Sequence, residues 1–448
     1  MNIHIPGFVL NCMSMLTACG HSAHIVGGCV RDSLLGNTPN DWDICTSALP
    51  NQMQEVFGEI RTIPTGLKHG TLTLVGEDMS VEATTLRRDG EYLDHRRPVT
   101  VDFTSSLEED LARRDFTINA MAYSPREGLI DPFGGYADLK AEKLRCVGDP
   151  LLRFEEDALR IFRLFRFISK LGFNPCDRTL AGAIARKNLL SAISAERISA
   201  ELNYLIMGKN AHTALSLAAG SGILAEIIPE FEPCIGFDQH SPYHNRTVDE
   251  HSFAALEASP LNHPVRLCLL LHDIAKPQTA TFDKYGQGHY KGHAGAGAKI
   301  SAQLLGRLKY PVKTAAHVEK LIAFHNKHIP LRPEVLRRFL GEHGTRFTLD
   351  LLDVKEADNH AKSEICEERL YHYGLVREYV EIILAAGDCL TLSELAVNGN
   401  DLAQAGIPSG PETGQALRAL LELVWQDPQK NNRAELLGHL RGSAPNPA

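Results

Sequence analysis

The chain has 448 residues, of which 44% are hydrophobic and 23% charged, a composition that excludes a disordered or fibrous protein and predicts at least three domains. Its net charge of −9 argues against a protein that coats nucleic acid regardless of sequence, although a local basic groove is compatible with that total. The apolar runs are too short to cross a bilayer and the ten cysteines include no CxxC pair, so we expect a cytoplasmic protein with reduced thiols and no membrane contact.

Changes in pattern along the chain predict five segments. Short β-like runs alternate with turn residues at first, and the pattern becomes helical from Asp149 onward. The predicted segments are an α/β head at 1–148, a helical neck at 149–210, a linker at 211–240, a histidine-rich helical domain at 241–375 and a helical tail at 376–448. The expected fold is therefore multidomain, with an α/β head and all-α domains after it.

The stretch "NDWDI" in the head predicts a strand with two acidic residues on one face. Alternation sends Asp41 and Asp43 to one side and Trp42 and Ile44 to the core. Two such carboxylates can hold divalent ions, and magnesium suits them because it binds to one or two carboxylates together with substrate phosphates. A lone pair of this kind is more often a solvated strand edge, so the metal site depends on what accompanies it.

A glycine turn precedes this strand and supplies the second half of the predicted site. Gly27 and Gly28 open a helix-like segment, and a turn without side chains lets the backbone approach a phosphate closely. The first amides of that helix, together with Arg31, can bind the negative charge of a triphosphate. A lone glycine pair is commonplace, but next to the carboxylates it predicts a site that cradles phosphates on one side and metals on the other.

The neck segment "EEDALRIFRLFR" predicts part of one helix that ends at Gly172. Asp157 and Arg160 would be neighbours on one face of it, with Arg163 and Arg166 continuing the row. A surface salt bridge explains this spacing, but base recognition is the alternative. Cytosine and adenine both present an amine donor beside a ring-nitrogen acceptor, so a carboxylate beside a guanidinium admits CTP and ATP and opposes UTP and GTP. The two later arginines could then reach the triphosphate.

Several motifs occur in a fixed order along the first 210 residues, among them "GGCVRDSLLG…NDWDI", "EEDLARRDFTINAMAYSP", "EEDALRIFRLFRF" and "AERISAEL". The series resembles the class II tRNA nucleotidyltransferase and bacterial poly(A) polymerase family. The resemblance implies a polymerase-β-like nucleotidyltransferase head with a mixed sheet, and magnesium on Asp41 and Asp43. It also implies nucleotide contacts from Gly28, Arg31 and Arg114, and base and triphosphate recognition from the neck residues Asp157, Arg160, Arg163 and Arg166.

Three further segments leave alternatives open. Glu82 in "SVEATTL" is either a third catalytic carboxylate or an ordinary strand glutamate. Residues 87–100, "RRDGEYLDHRRPVT", are a solvent loop or, by resemblance, the flexible loop that helps family members switch from C to A. The tail motif "NGNDLAQAGIPSGPETGQAL" resembles the C-terminal region of members with an HD domain, where glycine turns could offer amides to RNA phosphates; a plain helical hairpin is the alternative.

The histidine-rich block resembles the HD phosphohydrolase pattern. Its six candidate metal ligands are His251, His272, Asp273, His293, His325 and Asp358. Imidazole and carboxylate ligands suit transition metals such as Ni²⁺ or Mn²⁺, which activate water for attack on a phosphoester. A domain that keeps its metal but has lost its substrate is the alternative.

The resemblance as a whole implies an enzyme that adds CCA to the 3′ end of tRNA without a nucleic-acid template, using CTP and ATP and releasing pyrophosphate. A poly(A) polymerase with the same head is the nearest alternative, disfavoured because the C-terminus here lacks a strongly basic extension. An HD phosphohydrolase with a vestigial head and a non-catalytic RNA-binding protein are the others. The presence of both the Asp41/Asp43 and the Asp157/Arg160 pairs argues against a vestigial head.

Overall fold

The computed structural model describes residues 3–66, 70–90 and 101–442. The chain divides into two units, Met1–Pro229 and Glu230–Ala448. Among the described residues, no helix combines the length and the apolar character needed to cross a membrane. The finer domain boundaries stay predictions, and most of the loop predicted at 87–100 lies outside the described residues.

The first unit combines eleven α-helices and eleven strands among its described residues. The helices are α1 Gly7–Ala18, α2 Gly28–Leu34, α3 Pro50–Val56, α4 Leu107–Ala112, α5 Gly135–Lys140, α6 Pro150–Glu156, α7 Leu159–Leu171, α8 Asp177–Ala185, α9 Ala195–Ile206, α10 Ala211–Gly220 and α11 Ile223–Ile227. The strands are β1 Ala23–Val26, β2 Trp42–Thr46, β3 Arg61–Gly66, β4 Thr71–Val75, β5 Ser80–Thr85, β6 Arg87–Asp89, β7 Val101–Phe103, β8 Ala122–Ser124, β9 Gly128–Ile130, β10 Lys143–Leu144 and β11 Asn174–Pro175.

Seven of these strands form one mixed sheet in the order β3-β4-β5-β2-β1-β8-β9. Strands β2 and β5 pair in parallel, whereas β1 pairs antiparallel with both β2 and β8. The register places Asp43 of β2 directly opposite Glu82 of β5, so that both side chains leave the same face of the sheet. Strands β6 and β7 pair with each other in a separate small sheet. The mixed sheet predicted for the head is confirmed.

The neck segment that the sequence predicts as one helix ending at Gly172 forms two helices, so the prediction of a continuous helix is wrong. Helix α6 ends at Glu156, Asp157 has extended backbone angles (φ −134°, ψ 101°), and α7 begins at Leu159. The Asp157 carboxylate accepts a hydrogen bond from the Leu159 amide at 3.1 Å, as a capping aspartate does at the start of a helix. The predicted stop is confirmed, because Gly172 ends α7 in the left-handed conformation.

The second unit is almost entirely helical. Its helices are α12 Val248–Ala258, α13 His263–Leu271, α14 Lys276–Thr279, α15 His293–Arg307, α16 Val312–Phe324, α17 Pro333–His343, α18 Thr345–His360, α19 Glu367–Ala386, α20 Gly399–Gln404, α21 Pro411–Gln426 and α22 Arg433–Gly442, with short strands β12 Thr281–Phe282 and β13 Gly288–His289. Helices α12, α16 and α18 pack around α13, in which every residue from Leu267 to Leu271 is buried. This packing brings together the helix ends that carry the histidines.

The tail has a hydrophobic cluster of its own. Leu402 of α20 and Leu420 and Trp425 of α21 are among its buried members. The predicted helical tail is therefore confirmed as a packed structure. Together with the mixed sheet of the head and the helical block between them, it confirms the predicted α/β and all-α architecture.

Candidate active site and candidate metal centre

Three carboxylates lie close together: Asp43 on β2, Glu82 on β5 and Asp41, which directly precedes β2. Trp42 and Ile44 are buried while Asp43 is partly buried and Asp41 exposed, which confirms the alternation predicted for this strand. Glu82 is exposed and stands beside Asp43 in the parallel register. Burial raises the pKa of Asp43 to about 6; the Arg114 guanidinium opposes this shift, and the negative charges of Glu82 and Asp41 add to it. The site therefore gathers negative charge that a divalent cation would relieve.

This pKa shift predicts that Asp43→Asn stabilises the metal-free protein at neutral pH. The folded state holds a proton on Asp43 up to about pH 6, whereas the ordinary pKa of this carboxyl is 3.8. The contribution of Asp43 to the free energy of unfolding of the wild type therefore falls as the pH rises between these two values. At about pH 7.5 Asp43 is ionised in the folded state, and its charge lowers the free energy of unfolding of the wild type by the full amount. We therefore expect the variant to be more stable than wild type there by about 1–3 kcal/mol, a range that allows for the partial exposure of Asp43. Urea unfolding in chelator measures this difference.

The same experiment has an internal control, because the gain should shrink at about pH 4.5, where the wild-type carboxylate is largely protonated in the folded state. Added Mg²⁺ should stabilise the wild type and not the variant. An Asp43→Asn protein that is less stable than wild type at both pH values would contradict the view that charge at this position opposes folding.

The glycine turn lines the same cavity as Asp41 and Asp43. Gly27 has φ +78° and ψ −127°, a conformation open to glycine alone, and a Cβ there would stand 2.8 Å from the Arg114 guanidinium. Arg31, on α2, is 4% exposed and donates to the side chain of Asn119 at 2.5 Å. Arg114 pairs with Asp110 at 3.3 Å. Both guanidinium groups are thus held at the end of the turn, where α2 presents its first amides.

A cavity of about 440 Å³ joins these groups to the neck residues. Its lining carries eight arginine and lysine side chains and five aspartates, and this excess of cations suits a polyanion such as a triphosphate. Glu82 is not among the lining residues. The candidate site residues that line the cavity are Gly28, Arg31, Asp41, Asp43, Arg114, Asp157, Arg160, Arg163 and Arg166.

Asp157 and Arg160 do not form the side-by-side pair that the sequence predicts, because the backbone between them leaves the helical path. Asp157 instead accepts two hydrogen bonds from Arg197 of α9, at 2.9 and 3.1 Å. Arg160 donates to Glu156 at 2.7 Å and to the backbone carbonyl of Arg113 at 2.7 Å. Both side chains still face the cavity. The prediction that the two residues are neighbours on one helical face is therefore wrong, although both line the same cavity.

Further partners of the neck arginines were not identified from the sequence. Arg163 pairs with Asp115 at 2.7 Å, and Arg166 with Glu201 at 3.1 Å. Arg197 lies in the motif "AERISAEL", to which the sequence resemblance assigned no individual roles. Because 40 residues separate Arg197 from Asp157, no local spacing connects them. The motif was therefore the sequence feature that could have identified Arg197.

The second unit brings six candidate metal ligands together from five helices or helix ends. His251 lies on α12 and Asp358 on α18, and His293 begins α15. His272 and Asp273 directly follow α13, and His325 directly follows α16. His251, His272, Asp273, His325 and Asp358 are buried, and His293 is largely so. The six residues, which are spread widely along the chain, thus form a single cluster at one end of the helical core.

Each histidine of the cluster directs its Nδ1 atom to a backbone carbonyl. The acceptors are Leu269 for His272 at 2.8 Å, Tyr290 for His293 at 2.6 Å, Ile322 for His325 at 2.7 Å and Ala361 for His251 at 3.4 Å. Because a carbonyl can only accept, the Nδ1 atoms with the short contacts, those of His272, His293 and His325, carry a proton, and the Nε2 atom of each of these rings has a lone pair when the ring is neutral. The Nε2 atom of His251 lies 3.0 Å from Asp358 Oδ1. Burial holds the pKa of His325 well below its usual range, which favours the neutral, metal-binding form. Burial also disfavours the charged form of His272, but the adjacent Asp273 carboxylate outweighs it and raises the pKa of His272 to about 9, so a metal would have to displace a proton from that ring.

The Nε2 atoms face one another and the carboxylates. The Nε2 atoms of His293 and His325 are 3.2 Å apart, and the Nε2 atom of His272 is buried without an aligned hydrogen bond, 3.1 Å from Asp273 Oδ2. Two groups of three residues have ligand atoms close enough to share an ion, and Asp273 belongs to both. Facing lone pairs repel unless a cation lies between them, so the donor set fits a metal centre.

A buried lysine supports this centre and was not identified from the sequence. Lys355 is 1% exposed, lies one turn before Asp358 on α18, and donates to the backbone carbonyls of His325 at 2.7 Å and Lys327 at 2.5 Å. It therefore ties the segment that carries one ligand to the helix that carries another. A cavity of about 690 Å³ adjoins the centre and is lined by Asp273, His293, His325 and Asp358 among others.

Because paired carboxylates face a cation-lined cavity, the head has the construction of a metal-dependent nucleotidyltransferase. Residues 23–145 match the family described as "Poly A polymerase head domain", residues 172–235 match "Probable RNA and SrmB- binding site of polymerase A", and residues 251–362 match "HD domain". The CCA-adding enzyme of Limosilactobacillus fermentum is 32% identical over 434 residues, which cover 95% of this chain and 94% of that protein. The chain belongs to the CCA-adding enzyme family, and the resemblance predicted from its motifs is confirmed.

Other relatives match over a shorter range. The CCA-adding enzyme of Geobacillus thermodenitrificans is 47% identical over 214 residues, or 48% of this chain and 52% of that protein, so the chain spans about half the length of such relatives. The crystal structure of a Bacillus stearothermophilus CCA-adding enzyme in complex with CTP has a TM-score of 0.73 at 30% identity, covering 98% of this chain and 99% of that one. A Thermotoga maritima CCA-adding enzyme complexed with tRNA shares the fold, with a TM-score of 0.60 at 20% identity over 98% and 96% of the two chains.

Proposed function

We propose that this protein adds CCA to the 3′ end of tRNA, using CTP and ATP and releasing pyrophosphate, without a nucleic-acid template. The observation that carries the proposal is one cavity that holds both Asp41 and Asp43 of the head and Asp157 and Arg160 of the neck. A site of this kind can activate a triphosphate and contact its base at the same time. The near-full-length similarity to a CCA-adding enzyme supports it, and a cytoplasmic location is part of the proposal.

In the proposed mechanism, the carboxylates and the arginines that line the cavity have different roles. Asp41 and Asp43 would hold magnesium, which when bound neutralises the phosphate charge that builds up during the transfer. Arg31 and the first amides of α2 bind the triphosphate from the turn, and Arg163 and Arg166 bind it from the neck. The 3′ hydroxyl of tRNA then attacks the α-phosphate, and pyrophosphate leaves.

Base selection is proposed to depend on Asp157 and Arg160. The Asp157 carboxylate accepts from the exocyclic amine of cytosine or adenine, and Arg197 holds that carboxylate in place from α9. Arg160 donates to the neighbouring ring nitrogen. Uracil and guanine would instead place a carbonyl against the carboxylate, and two acceptors that face each other in a confined site cannot pair.

Incubation with single nucleotides separates this function from its nearest alternative. A tRNA transcript that ends at the discriminator base should gain two C residues with CTP alone and acquire the terminal A only when ATP is also present. A poly(A) polymerase would leave that transcript unchanged with CTP and extend it by many A residues with ATP. Gel analysis at single-nucleotide resolution therefore decides between the two activities.

We further propose that the second unit is a metal-dependent phosphohydrolase that uses a transition metal such as Ni²⁺ or Mn²⁺. The observation that favours this second activity is the convergence of four histidine Nε2 atoms on two buried carboxylates. The six ligands are those named above, and when bound the metal activates a water for attack on a phosphoester. The adjoining cavity has room for such a substrate, and its lining includes the cationic side chains of Lys276 and Arg369.

His272→Ala or Asp273→Asn should remove metal-dependent phosphatase or 2′,3′-cyclic phosphodiesterase activity, since each change deletes a ligand of the buried centre. CCA addition should survive in both variants, because the proposed transfer site lies wholly in the first unit. Metal content after dialysis and both activities are measured in parallel, with His360→Ala as a matched control for loss of an exposed histidine from α18. Loss of both activities in a variant that melts like wild type would refute the independence of the two sites.

A further inference from the structure

One aromatic ring in the nucleotide cavity is surrounded by three guanidinium groups. Phe167 lies on α7, is 3% exposed and contributes to the cavity lining. The guanidinium carbon of Arg31 is 5.3 Å from the ring centroid, and those of Arg163 and Arg166 are each 5.6 Å from it. All three distances are within the roughly 6 Å over which a cation is attracted to an aromatic face.

The ring itself is fixed by its own packing. Phe116, which is fully buried, meets Phe167 edge to face, with ring centroids 5.6 Å apart and an interplanar angle of 82°. Helix α7 carries two of the three arginines, and Arg31 reaches the ring from α2. A single side chain thus links the arginines on the glycine-turn side of the cavity with those on the neck side.

An aromatic ring and a carboxylate can both hold an arginine in place, but they differ in how much positive charge remains to attract a phosphate. Arg31 and Arg163 are also paired with Asp32 and Asp115, at 2.7 Å in each case. Each such carboxylate neutralises its arginine and repels an incoming phosphate. The face of a phenylalanine ring attracts the guanidinium through its quadrupole and carries no net charge, so it holds the cations together without competing with a polyanion.

We infer that Phe167 is a positioning residue that holds Arg31, Arg163 and Arg166 in place for the triphosphate before the nucleotide binds. The inference rests on the proposed nucleotidyltransferase function and deepens it. Loss of the ring face should weaken binding of every triphosphate and of pyrophosphate by about three- to tenfold, since each cation–π contact is modest and the carboxylate pairs persist. Base choice should not change, because the ring is assigned no contact with the base.

Graded fluorination of the ring tests the inference directly. Phenylalanine, 4-fluoro-, 3,5-difluoro- and 3,4,5-trifluorophenylalanine are placed at position 167, which withdraws negative charge from the ring face at nearly constant size. Inorganic pyrophosphate is titrated calorimetrically into each protein with Mg²⁺ and without tRNA. We expect its affinity to fall with each added fluorine and the melting temperature to stay the same. KM for CTP and for ATP should rise in parallel, with kcat changed less.

The same series at Phe165, a fully buried residue of α7, is the matched control and should leave pyrophosphate affinity unchanged. A flat affinity series at position 167, with wild-type protein that binds pyrophosphate and extends tRNA, would overturn the inference and leave the proposed function intact. A series in which kcat falls and affinity does not would also overturn it. Wild-type protein that binds no pyrophosphate and extends no tRNA would overturn the proposed function itself, and the inference with it.

Discussion

Replacing Asp41 or Asp43 by alanine is expected to abolish nucleotide transfer, with a loss in kcat of at least about a hundred- to a thousandfold. Both carboxylates are proposed to hold the ions that stabilise charge in the transition state, and both line the cavity. tRNA binding should change little, because these residues are not proposed to contact RNA. The rate of CMP incorporation under single-turnover conditions and the Kd for tRNA are measured on the same preparations.

Two comparisons sharpen this experiment. Asp78→Ala removes an exposed carboxylate from the turn between β4 and β5, and it should leave transfer at the wild-type rate. Glu82→Ala asks whether the carboxylate opposite Asp43 is a third catalytic group, which the cavity lining does not include. Near-wild-type incorporation by both the Asp41 and the Asp43 variants would remove the two-carboxylate site from the mechanism.

Asp157→Ala is expected to raise the use of UTP relative to CTP by about ten- to a hundredfold in kcat/KM. The substitution removes the acceptor that opposes a uracil carbonyl, and mispaired groups in a confined site cost on the order of 1–3 kcal/mol each. Arg163→Ala should instead slow all four nucleotides about equally, because that arginine is proposed to bind the triphosphate. Single-nucleotide extension of tRNA with each triphosphate gives the ratios.

The pairing of Asp157 with Arg197 adds a second variant to this test. Arg197→Ala leaves the carboxylate in place but removes the two hydrogen bonds that orient it, so discrimination should weaken in the same direction and by less. Arg197→Lys keeps a positive charge at this position without the planar guanidinium group, and its discrimination should lie between those of Arg197→Ala and wild type. An Asp157→Ala enzyme that is slower overall but keeps its CTP:UTP ratio would show that the base is recognised elsewhere.

The strand that carries the carboxylates could be predicted because its pattern is local. Alternation alone places Trp42 and Ile44 in the core and Asp43 on the opposite face, and the sheet preserves that order. The break between α6 and α7 could not be predicted in the same way, since the helical spacing of apolar residues continues through it. The Asp157 side chain ends α6, because its hydrogen bonds with the Leu159 amide and with Arg197 stabilise a non-helical backbone at this residue.

Long-range partners account for most of what the sequence does not reveal about the sites. The order of histidines and aspartates predicted the six candidate ligands, and the structure brings these residues together. The role of Lys355 depends on a carbonyl 30 residues away, and a lysine inside a helical segment ordinarily faces solvent. The convergence of Arg31 with Arg163 and Arg166 on Phe167 likewise depends on how α2 approaches α7, which no spacing within either helix encodes.

Sequencing the 3′ ends of a tRNA transcript after reaction with all four nucleotides tests the central claim most directly. The transcript should end at the discriminator base, and the reaction should contain Mg²⁺ and no other nucleic acid. The proposed function predicts products that end in C, CC and finally CCA, without further addition and without U or G at these positions. Runs of A, mixed ends that follow nucleotide concentration, or unchanged transcripts would each contradict template-free CCA addition by this protein.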